Sequence, residues 1–183
     1  DVNIQIGTGG FWQYKFTRNG STPPVVTYPL EATTWMLRPA AGALLVGDGA
    51  GNTWWSNNID DVTIRACLFD DEYIFNKNGS FTNAFGEITE AHGYPETWLE
   101  GWQVGDDNGD GVIDWKDDHC APIKAPHDGS NAATWSMDET AGTITLVGEG
   151  AYLGLAKVHN TAEDGKPANN TITYKYTLSA DTN

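Results

Sequence analysis

Apolar and polar residues alternate along several short segments of the chain. Positions 2, 4 and 6 are apolar while positions 3 and 5 are polar, and the same period of two recurs in residues 11–16, 143–147 and 172–178. Such alternation is typical of strands that have one buried and one solvent-facing side. No segment shows a clear helical period. The pattern predicts an all-β protein, an antiparallel β-sandwich of the jelly-roll type.

The length of 183 residues fits one domain, which we place at residues 1–183. The strand at residues 172–178 leads into a turn with no returning strand, and residues 1–6 form a strand with no preceding partner. One interpretation is that residues 1–17 pair with the C-terminal strand of the same chain, because the ends of a domain commonly lie close together. The other is that they pair with a neighbouring copy, which would build a repeat array or a filament by β-strand addition.

Acidic and amide residues recur with a fixed spacing in the stretch D-D-N-G-D-G-V-I-D-W-K-D. The spacing is that of an EF-hand-like calcium loop, with the turn glycine Gly111 at position 6 and the apolar Ile113 predicted to anchor the loop inward. The alternative is an acidic, glycine-rich surface turn without a metal. Neither flank has a helical pattern, so we interpret the loop as a fixed brace and not as a calcium sensor. The predicted calcium ligands are Asp106, Asn108, Asp110, Asp114, Asp117 and the backbone carbonyl of Val112.

The composition is strongly acidic, with 25 Asp and Glu residues against 10 Lys and Arg residues and a net charge of -15. Such a surface repels the phosphates of nucleic acids and anionic membranes, so we expect neither as a partner. No apolar run approaches the roughly 20 residues of a membrane-spanning helix, and membrane insertion is not expected. The charge does favour bound cations, in agreement with a calcium loop.

Two cysteines, Cys67 and Cys120, are the only thiols of the chain. They could remain free and buried, but a pair in an acidic chain with a calcium-type loop favours a disulfide and an extracellular setting. Closing a loop of this length would stabilise the fold by about 4 kcal/mol in the chain-entropy model. We therefore predict a disulfide between Cys67 and Cys120, and Cys120 lies three residues after the end of the calcium loop.

Six runs of the chain are similar to parts of a known kind of module, and they are residues 35–44, 54–56, 63–73, 97–100, 125–135 and 150–158. Together they resemble a module that recurs in secreted multidomain proteins of polysaccharide-degrading bacteria, often beside laminarinase-like glycoside hydrolase domains. The resemblance covers most of residues 33–178. It implies an extracellular, multimodular setting and glycan binding, and it carries no set of catalytic residues.

Eight tryptophans are more than the core of a domain this size is expected to bury, so some are candidates for exposed sugar platforms. Sugars present apolar C–H faces that stack on aromatic rings, whereas their hydroxyl groups need polar partners. The alternative for each tryptophan is a place in the core. Candidate rings are Trp54, Trp55, Trp98 and Trp102, with Trp115 as a further one, and candidate hydrogen-bonding residues are Asp70 and Asp71, with His127 and Asn131 beside them.

Catalysis is not expected, because the carboxylate pattern of a glycosidase is incomplete. Glu87 and Glu90 are the nearest match to a paired-carboxylate strand, and they lack the intervening acid. No serine elbow or H-E-x-x-H motif occurs. The sequence thus favours a secreted, non-catalytic, calcium-stabilised module that binds polysaccharide such as a β-glucan. The alternative is a structural or adhesive repeat, or a fibre subunit assembled by β-strand addition.

Overall fold

The computed structural model describes residues 2–6, 11–18, 30–31, 33–47, 52–86, 95–156 and 170–178. Helices are short and strands dominate. The helices are α1 (Ile59–Ile64), α2 (Ala66–Phe69), α3 (Gly101–Val104) and a 3-10 helix (Trp115–Asp117). The strands are β1 (Val2–Ile6), β2 (Phe11–Arg18), β3 (Thr33–Leu37), β4 (Leu44–Gly47), β5 (Thr53–Ser56), β6 (Glu72–Phe75), β7 (Ser80–Ala84), β8 (Glu96–Leu99), β9 (His119–Pro122), β10 (Ala133–Asp138), β11 (Thr143–Val147) and β12 (Thr171–Leu178).

Eight of the strands form one antiparallel sheet that closes on itself. Around the ring the order is β1, β2, β3, β6, β7, β10, β11 and β12, and β12 pairs again with β1. One edge of strand β2 is divided, with residues 16–18 pairing with β3 and residues 11–14 pairing with β4. Strand β1 pairs with β2 on one edge and with β12 on the other, so both of its edges are paired within the chain.

The prediction of an all-β antiparallel fold is confirmed, and the strand order corrects its jelly-roll detail. A jelly roll is built from Greek keys, which place strands from distant parts of the chain side by side. Here the neighbours around the ring follow chain order, apart from two insertions. Alternating apolar residues determine which side of a strand is buried, but they do not determine which strand lies next to it.

Two insertions leave the ring and lie beside each other. The first, between β3 and β6, contains β4, β5, α1 and α2, and the second, between β7 and β10, contains β8, α3, the 3-10 helix and β9. Strands β8 and β9 form a separate two-stranded sheet. A disulfide joins Cys67 of the first insertion to Cys120 of the second, with their Cα atoms 6.0 Å apart. The predicted bridge is therefore confirmed, and it fastens the two insertions to each other.

The core lies inside the ring and consists of alternate residues of its strands. Each of these side chains is at most 5% exposed, so the period of two in the sequence corresponds to an inner and an outer side. Burying a large apolar side chain of this kind contributes about 1.5–3 kcal/mol. The inward residues include Tyr14, Phe16, Trp35, Leu37, Tyr73, Phe75, Phe81, Ile144, Leu146, Ile172 and Tyr174.

A segment without regular structure, residues 151–156, is fully buried against this core. Tyr73 donates its hydroxyl to the carbonyl of Gly154 at 3.2 Å, and the N–H of Leu153 donates to the hydroxyl of Tyr174 at 3.0 Å. Gly154 has a φ of +73°, and a Cβ atom there would collide with the ring of Tyr14. The tyrosines thus satisfy the backbone of a buried irregular segment, which would otherwise leave unpaired polar groups in the core.

An asparagine pair fixes the start of the first helix. Asn58 caps α1 by accepting the N–H groups of Asp60 and Asp61 at 2.7 and 3.1 Å, and the Asp61 carboxylate accepts the Asn58 N–H at 2.7 Å. Asn57 is buried and links the insertion to the neighbouring loop through Leu44 N and Ala40 O.

Within the described residues, no helix has the length and apolar character needed to cross a membrane.

Candidate functional site: a tryptophan groove

A groove of about 700 Å³ lies between the two insertions. We name it the tryptophan groove and define it by Trp55, Arg65, Glu100, Trp102, Trp115 and Asp118. Trp55 comes from β5 and Arg65 from the junction of α1 and α2, whereas the other four surround α3 and the 3-10 helix. The disulfide holds these two sources of side chains together.

Three indole rings line the groove to different depths. Trp115 is 75% exposed, and Trp55 and Trp102 are half-buried. Trp54 is 65% exposed but does not line the groove, because adjacent residues of a strand point to opposite sides. The Trp54–Trp55 pair therefore has one ring in the groove and one ring outside it.

The structure brings together only part of the residue set that the sequence suggested. Trp55 and Trp102 line the groove, as does Trp115, whereas the exposed Asp70 lies outside it. Trp98 is 7% exposed and Asp71 is 1% exposed, so both are interior residues that a polymer cannot reach on this surface. The residues next to Trp98 and Asp71 in the sequence do not reveal that these two side chains are buried. Only the tertiary packing distinguishes them from the groove residues.

Arg65 is a groove residue that the sequence analysis did not single out. Its guanidinium carbon lies 4.1 Å from the ring centroid of Trp98 and 5.0 Å from that of Trp55, so it stacks between a core ring and a groove ring. Burial lowers the pKa of Arg65, and the carboxylates of Asp118, Asp61 and Glu100 oppose that shift. No local motif marks this arginine, since its two aromatic partners come from different insertions.

Two of the carboxylates that line the groove, those of Glu100 and Asp118, accept hydrogen bonds from within the protein. Glu100 is largely buried and accepts the indole N–H of Trp102 at 3.0 Å, which fixes the orientation of that ring. Asp118 accepts the N–H of Gly101 at 2.8 Å. Burial raises the pKa of Asp118, while the Gly101 hydrogen bond and the charge of Arg65 lower it. A Cβ at Gly101 would collide with the carbonyl oxygen of Asp114, so a glycine is needed for this close packing.

Beneath Trp102 lies a buried histidine. The His127 ring makes edge-to-face contacts with Trp102 and Tyr152, with centroids 6.0 and 5.6 Å apart. Its Nδ1 lies 3.1 Å from the carbonyl oxygen of Gly150. Burial lowers the pKa of His127, which favours the neutral ring at neutral pH. His127 therefore supports a groove ring from behind and does not itself face a ligand.

The predicted calcium loop forms one wall of the groove. Asp117 is 1% exposed and is the hub of the loop, because its carboxylate accepts the N–H groups of Asp107, Asn108 and Asp114 at 3.0, 3.1 and 2.9 Å. These hydrogen bonds lower the pKa of Asp117. Asp106 accepts the N–H of Gly111 at 2.9 Å. The loop is thus tied to itself around its last acidic residue.

A lysine contacts two of the predicted calcium ligands. Lys116 Nζ lies 3.1 Å from Asp110 Oδ2 and 3.0 Å from Asp114 Oδ2. The carboxylate of Asp114 and then that of Asp110 raise the pKa of Lys116. Hydrogen bonds from Lys116 lower the pKa of Asp114. In the described part of the chain, no three His, Cys, Asp or Glu side chains are gathered so that they could hold a metal ion.

Ile113 of the loop does not lie where the sequence predicted. Ile113 was predicted to anchor the loop inward, but it is 59% exposed and lines the groove. The expectation was wrong because the loop is not enclosed between two long helices. It is preceded by the single turn α3 and followed by the 3-10 helix. The apolar side chain of Ile113 instead adds to the groove surface.

Comparison with protein-family models, curated proteins and solved structures finds no match for this chain. The interpretation of the groove therefore depends on its own geometry and chemistry.

Proposed function

We propose that this protein is a non-catalytic extracellular module that binds polysaccharide in the tryptophan groove. The observation that supports the proposal is the combination, in one groove, of the indole rings of Trp55, Trp102 and Trp115 with the carboxylates of Glu100 and Asp118. Aromatic faces attract the C–H faces of pyranose rings, and carboxylate oxygens accept hydrogen bonds from sugar hydroxyls. A β-glucan, whose sugars have flat faces, is the ligand class we expect first.

The extracellular setting is supported by the disulfide between Cys67 and Cys120. Such bridges form and persist in oxidising compartments and are rare in the cytosol. The acidic composition suits an extracellular protein that meets calcium at high concentration. We propose that the chain is secreted and works as one unit of a multimodular protein.

Calcium is proposed as a structural cofactor of the groove wall. In the sequence the loop has the ligand spacing of a calcium-binding loop, and Ca²⁺ would replace the ammonium group of Lys116 beside Asp110 and Asp114. The ligands would be the six groups named from the sequence, from Asp106 to Asp117. Its role would be to stabilise the wall that carries Ile113 and Trp115.

The groove carboxylates of Glu100 and Asp118 have hydrogen-bond partners within the protein, which supports a binding role. Glu100 accepts from Trp102, and Asp118 accepts from Gly101. A glycosidase needs one carboxylic acid and one carboxylate directed at the same bond. We expect no release of reducing ends from β-glucans during prolonged incubation. Release that disappears in an Asp118→Asn variant would contradict the non-catalytic part of the proposal.

The alternative is a structural or adhesive repeat, or a fibre subunit assembled by β-strand addition. Strand addition requires an open edge. Strand β1 is paired with β2 and β12, and among the described strands of the large sheet β5 forms an edge. The alternative predicts filaments in electron micrographs of the purified protein, and a protein that is monomeric at all concentrations in sedimentation would exclude the fibre subunit.

Affinity electrophoresis tests the binding proposal directly. The protein is run in native gels that contain laminarin, barley β-glucan, hydroxyethyl cellulose, xylan or galactomannan. We expect retarded migration with at least one β-glucan, relative to a reference protein of similar charge. Unchanged migration with every polysaccharide would overturn the proposal.

A further inference from the structure

We propose that the tryptophan groove selects neutral polysaccharides and rejects polyanionic ones, such as those built from uronic acids or bearing sulfate groups. This inference depends on the proposed function, because it names the class of polysaccharide that the groove accepts. It follows from the charges in and around the groove, which act on the ligand in addition to ring stacking.

The described lining of the groove offers little positive charge to an anionic sugar. Arg65 is the cationic residue of its described lining, and its guanidinium is stacked on Trp55 and Trp98. Its Nε atom is buried and has no accessible surface for a ligand. A guanidinium group can hold an anionic sugar by a two-pronged contact, and the burial of Nε closes the version that uses Nε, which leaves only the two Nη atoms for such a contact.

Two described lysines near the groove have partners as well. Lys116 contacts the carboxylates of Asp110 and Asp114, and Lys124 Nζ donates to the carbonyl oxygen of Gln103 at 3.1 Å. The charge of Lys116 is therefore offset by two carboxylates before an anionic polymer approaches. Neither lysine is among the described residues that line the groove.

The groove lining itself is acidic. Among its described residues, Glu100, Asp114 and Asp118 line it, against the guanidinium group of Arg65. The whole chain adds a net charge of -15, which repels a polyanion before it reaches the groove. Carboxylates accept hydrogen bonds and cannot donate them, so they suit hydroxyl groups and repel other carboxylates. A neutral polyhydroxylated chain meets both requirements.

Matched polymers isolate the charge of the ligand from its backbone. Binding is measured by affinity electrophoresis and by calorimetry with hydroxyethyl cellulose against carboxymethyl cellulose, and with a β-1,3-glucan against its carboxymethyl derivative. We expect the anionic member of each recognised pair to bind at least tenfold more weakly at low ionic strength. The difference should shrink in 0.5 M NaCl, because salt screens the repulsion.

Each of these binding measurements is made once in a buffer with calcium and once in a buffer with a chelator. Equal or tighter binding of the carboxymethyl polymer in either arm would overturn the inference, and tighter binding only with calcium would show that a bound ion bridges to the anionic sugar. Failure of all polymers, neutral and anionic, would overturn the proposed function itself. The two failures are therefore distinguishable.

A pair of charge variants locates the effect. Asp118→Asn removes one groove charge while keeping an oxygen that can accept the Gly101 N–H, and it should reduce the discrimination between neutral and anionic polymers about threefold or more. Glu149→Gln removes an exposed charge that does not line the groove and should leave the discrimination unchanged. Circular dichroism confirms that both variants are folded, and Glu100→Gln provides a second groove variant. Equal effects of Asp118→Asn and Glu149→Gln would contradict discrimination by the groove.

Discussion

The buried side chain of Asp71 makes the stability of this protein depend on pH. Its carboxylate accepts the hydroxyl of Thr97, and both residues are almost completely inaccessible to solvent. Burial raises the pKa of Asp71 well above its ordinary value, although the Thr97 hydrogen bond opposes the shift. The folded protein therefore keeps a proton on Asp71 at a pH where the unfolded chain has released it.

This shift gives a pH dependence with a definite sign. Between the unfolded pKa of Asp71, about 3.9, and its raised folded pKa, the folded state binds more protons, so the free energy of unfolding falls as pH rises. The Asp71→Asn variant cannot ionise. Its stability relative to the native protein should increase from pH 4.5 to pH 8, as measured by urea unfolding.

The exposed neighbour Asp70 provides the control for this experiment. Asp70→Asn changes the same charge one residue away, but at a solvent-accessible position. It should alter the pH dependence of stability much less than Asp71→Asn. A relative stability of Asp71→Asn that stays constant or falls with pH would contradict a raised pKa.

Asp71 and Trp98 also mark the limit of residue-level prediction. Their residue types suit a sugar site, and the sequence therefore predicted both as ligand-binding residues. Burial depends on which segments pack above a residue, and here those segments are distant in sequence, as with Thr97 above Asp71. Conversely, Trp115 and Trp102 reach the surface because the second insertion turns at α3 and the 3-10 helix.

At the scale of elements, the buried segment 151–156 depends on a glycine. Gly154→Ala would force an L residue into a left-handed conformation and drive its Cβ into the Tyr14 ring. The two effects together should lower the free energy of unfolding by about 2–4 kcal/mol. Chemical denaturation of the purified variant measures this value.

Gly79→Ala is the matched control for that substitution. Gly79 also has a positive φ, +81°, but a Cβ there would meet no atom within 4 Å. Its cost should be limited to the backbone, about 1 kcal/mol. Equal losses in the two variants would show that the contact between Gly154 and Tyr14 contributes nothing.

The disulfide connects the two insertions and closes a loop with a sequence separation of 53 residues. Replacing Cys67 and Cys120 together with alanine should lower the free energy of unfolding by about 4 kcal/mol, because the unfolded chain regains the entropy of that loop. The native protein should show a comparable loss in dithiothreitol, and the double variant should not respond to the reductant. A native protein whose stability is unaffected after verified reduction would contradict this role.

Element prediction from the sequence succeeded where a local pattern determines the structure. The alternating residues of β11 and β12 were recognisable in that way. The short helices α1 and α2 lack a helical period and are held by the Asn58 cap and the disulfide. The closure of β1 onto β12 could not be deduced from local pattern alone, since the pattern of β1 allows a partner in the same chain or in another copy.

At the scale of the whole molecule, calcium should link the loop to overall stability. We expect the free energy of unfolding to be larger in Ca²⁺ than in chelator, by about 2.7 kcal/mol when calcium is present at 100 times its dissociation constant. The Asp110→Asn variant should lose most of this gain. Thermal melting with and without calcium checks the prediction.

Asp107→Asn provides the control, because it removes a charge from the same loop at a position that the calcium spacing does not use. It should retain most of the stabilisation by calcium. Identical melting of the native protein in calcium and in chelator would mean that the loop holds no calcium. Equal losses of calcium stabilisation in Asp110→Asn and Asp107→Asn would mean that the effect comes from the overall charge of the loop and not from specific ligands.

The central claim is that the tryptophan groove is the polysaccharide site, and a pair of tryptophan variants tests it most directly. Trp115 and Trp54 are both highly exposed, but only Trp115 lines the groove. Removing a stacking ring should weaken binding of a recognised β-glucan about tenfold or more in Trp115→Ala, measured by calorimetry, while Trp54→Ala should bind like the native protein. Native-like binding by Trp115→Ala, or an equal loss in Trp54→Ala, would contradict the assignment of the groove.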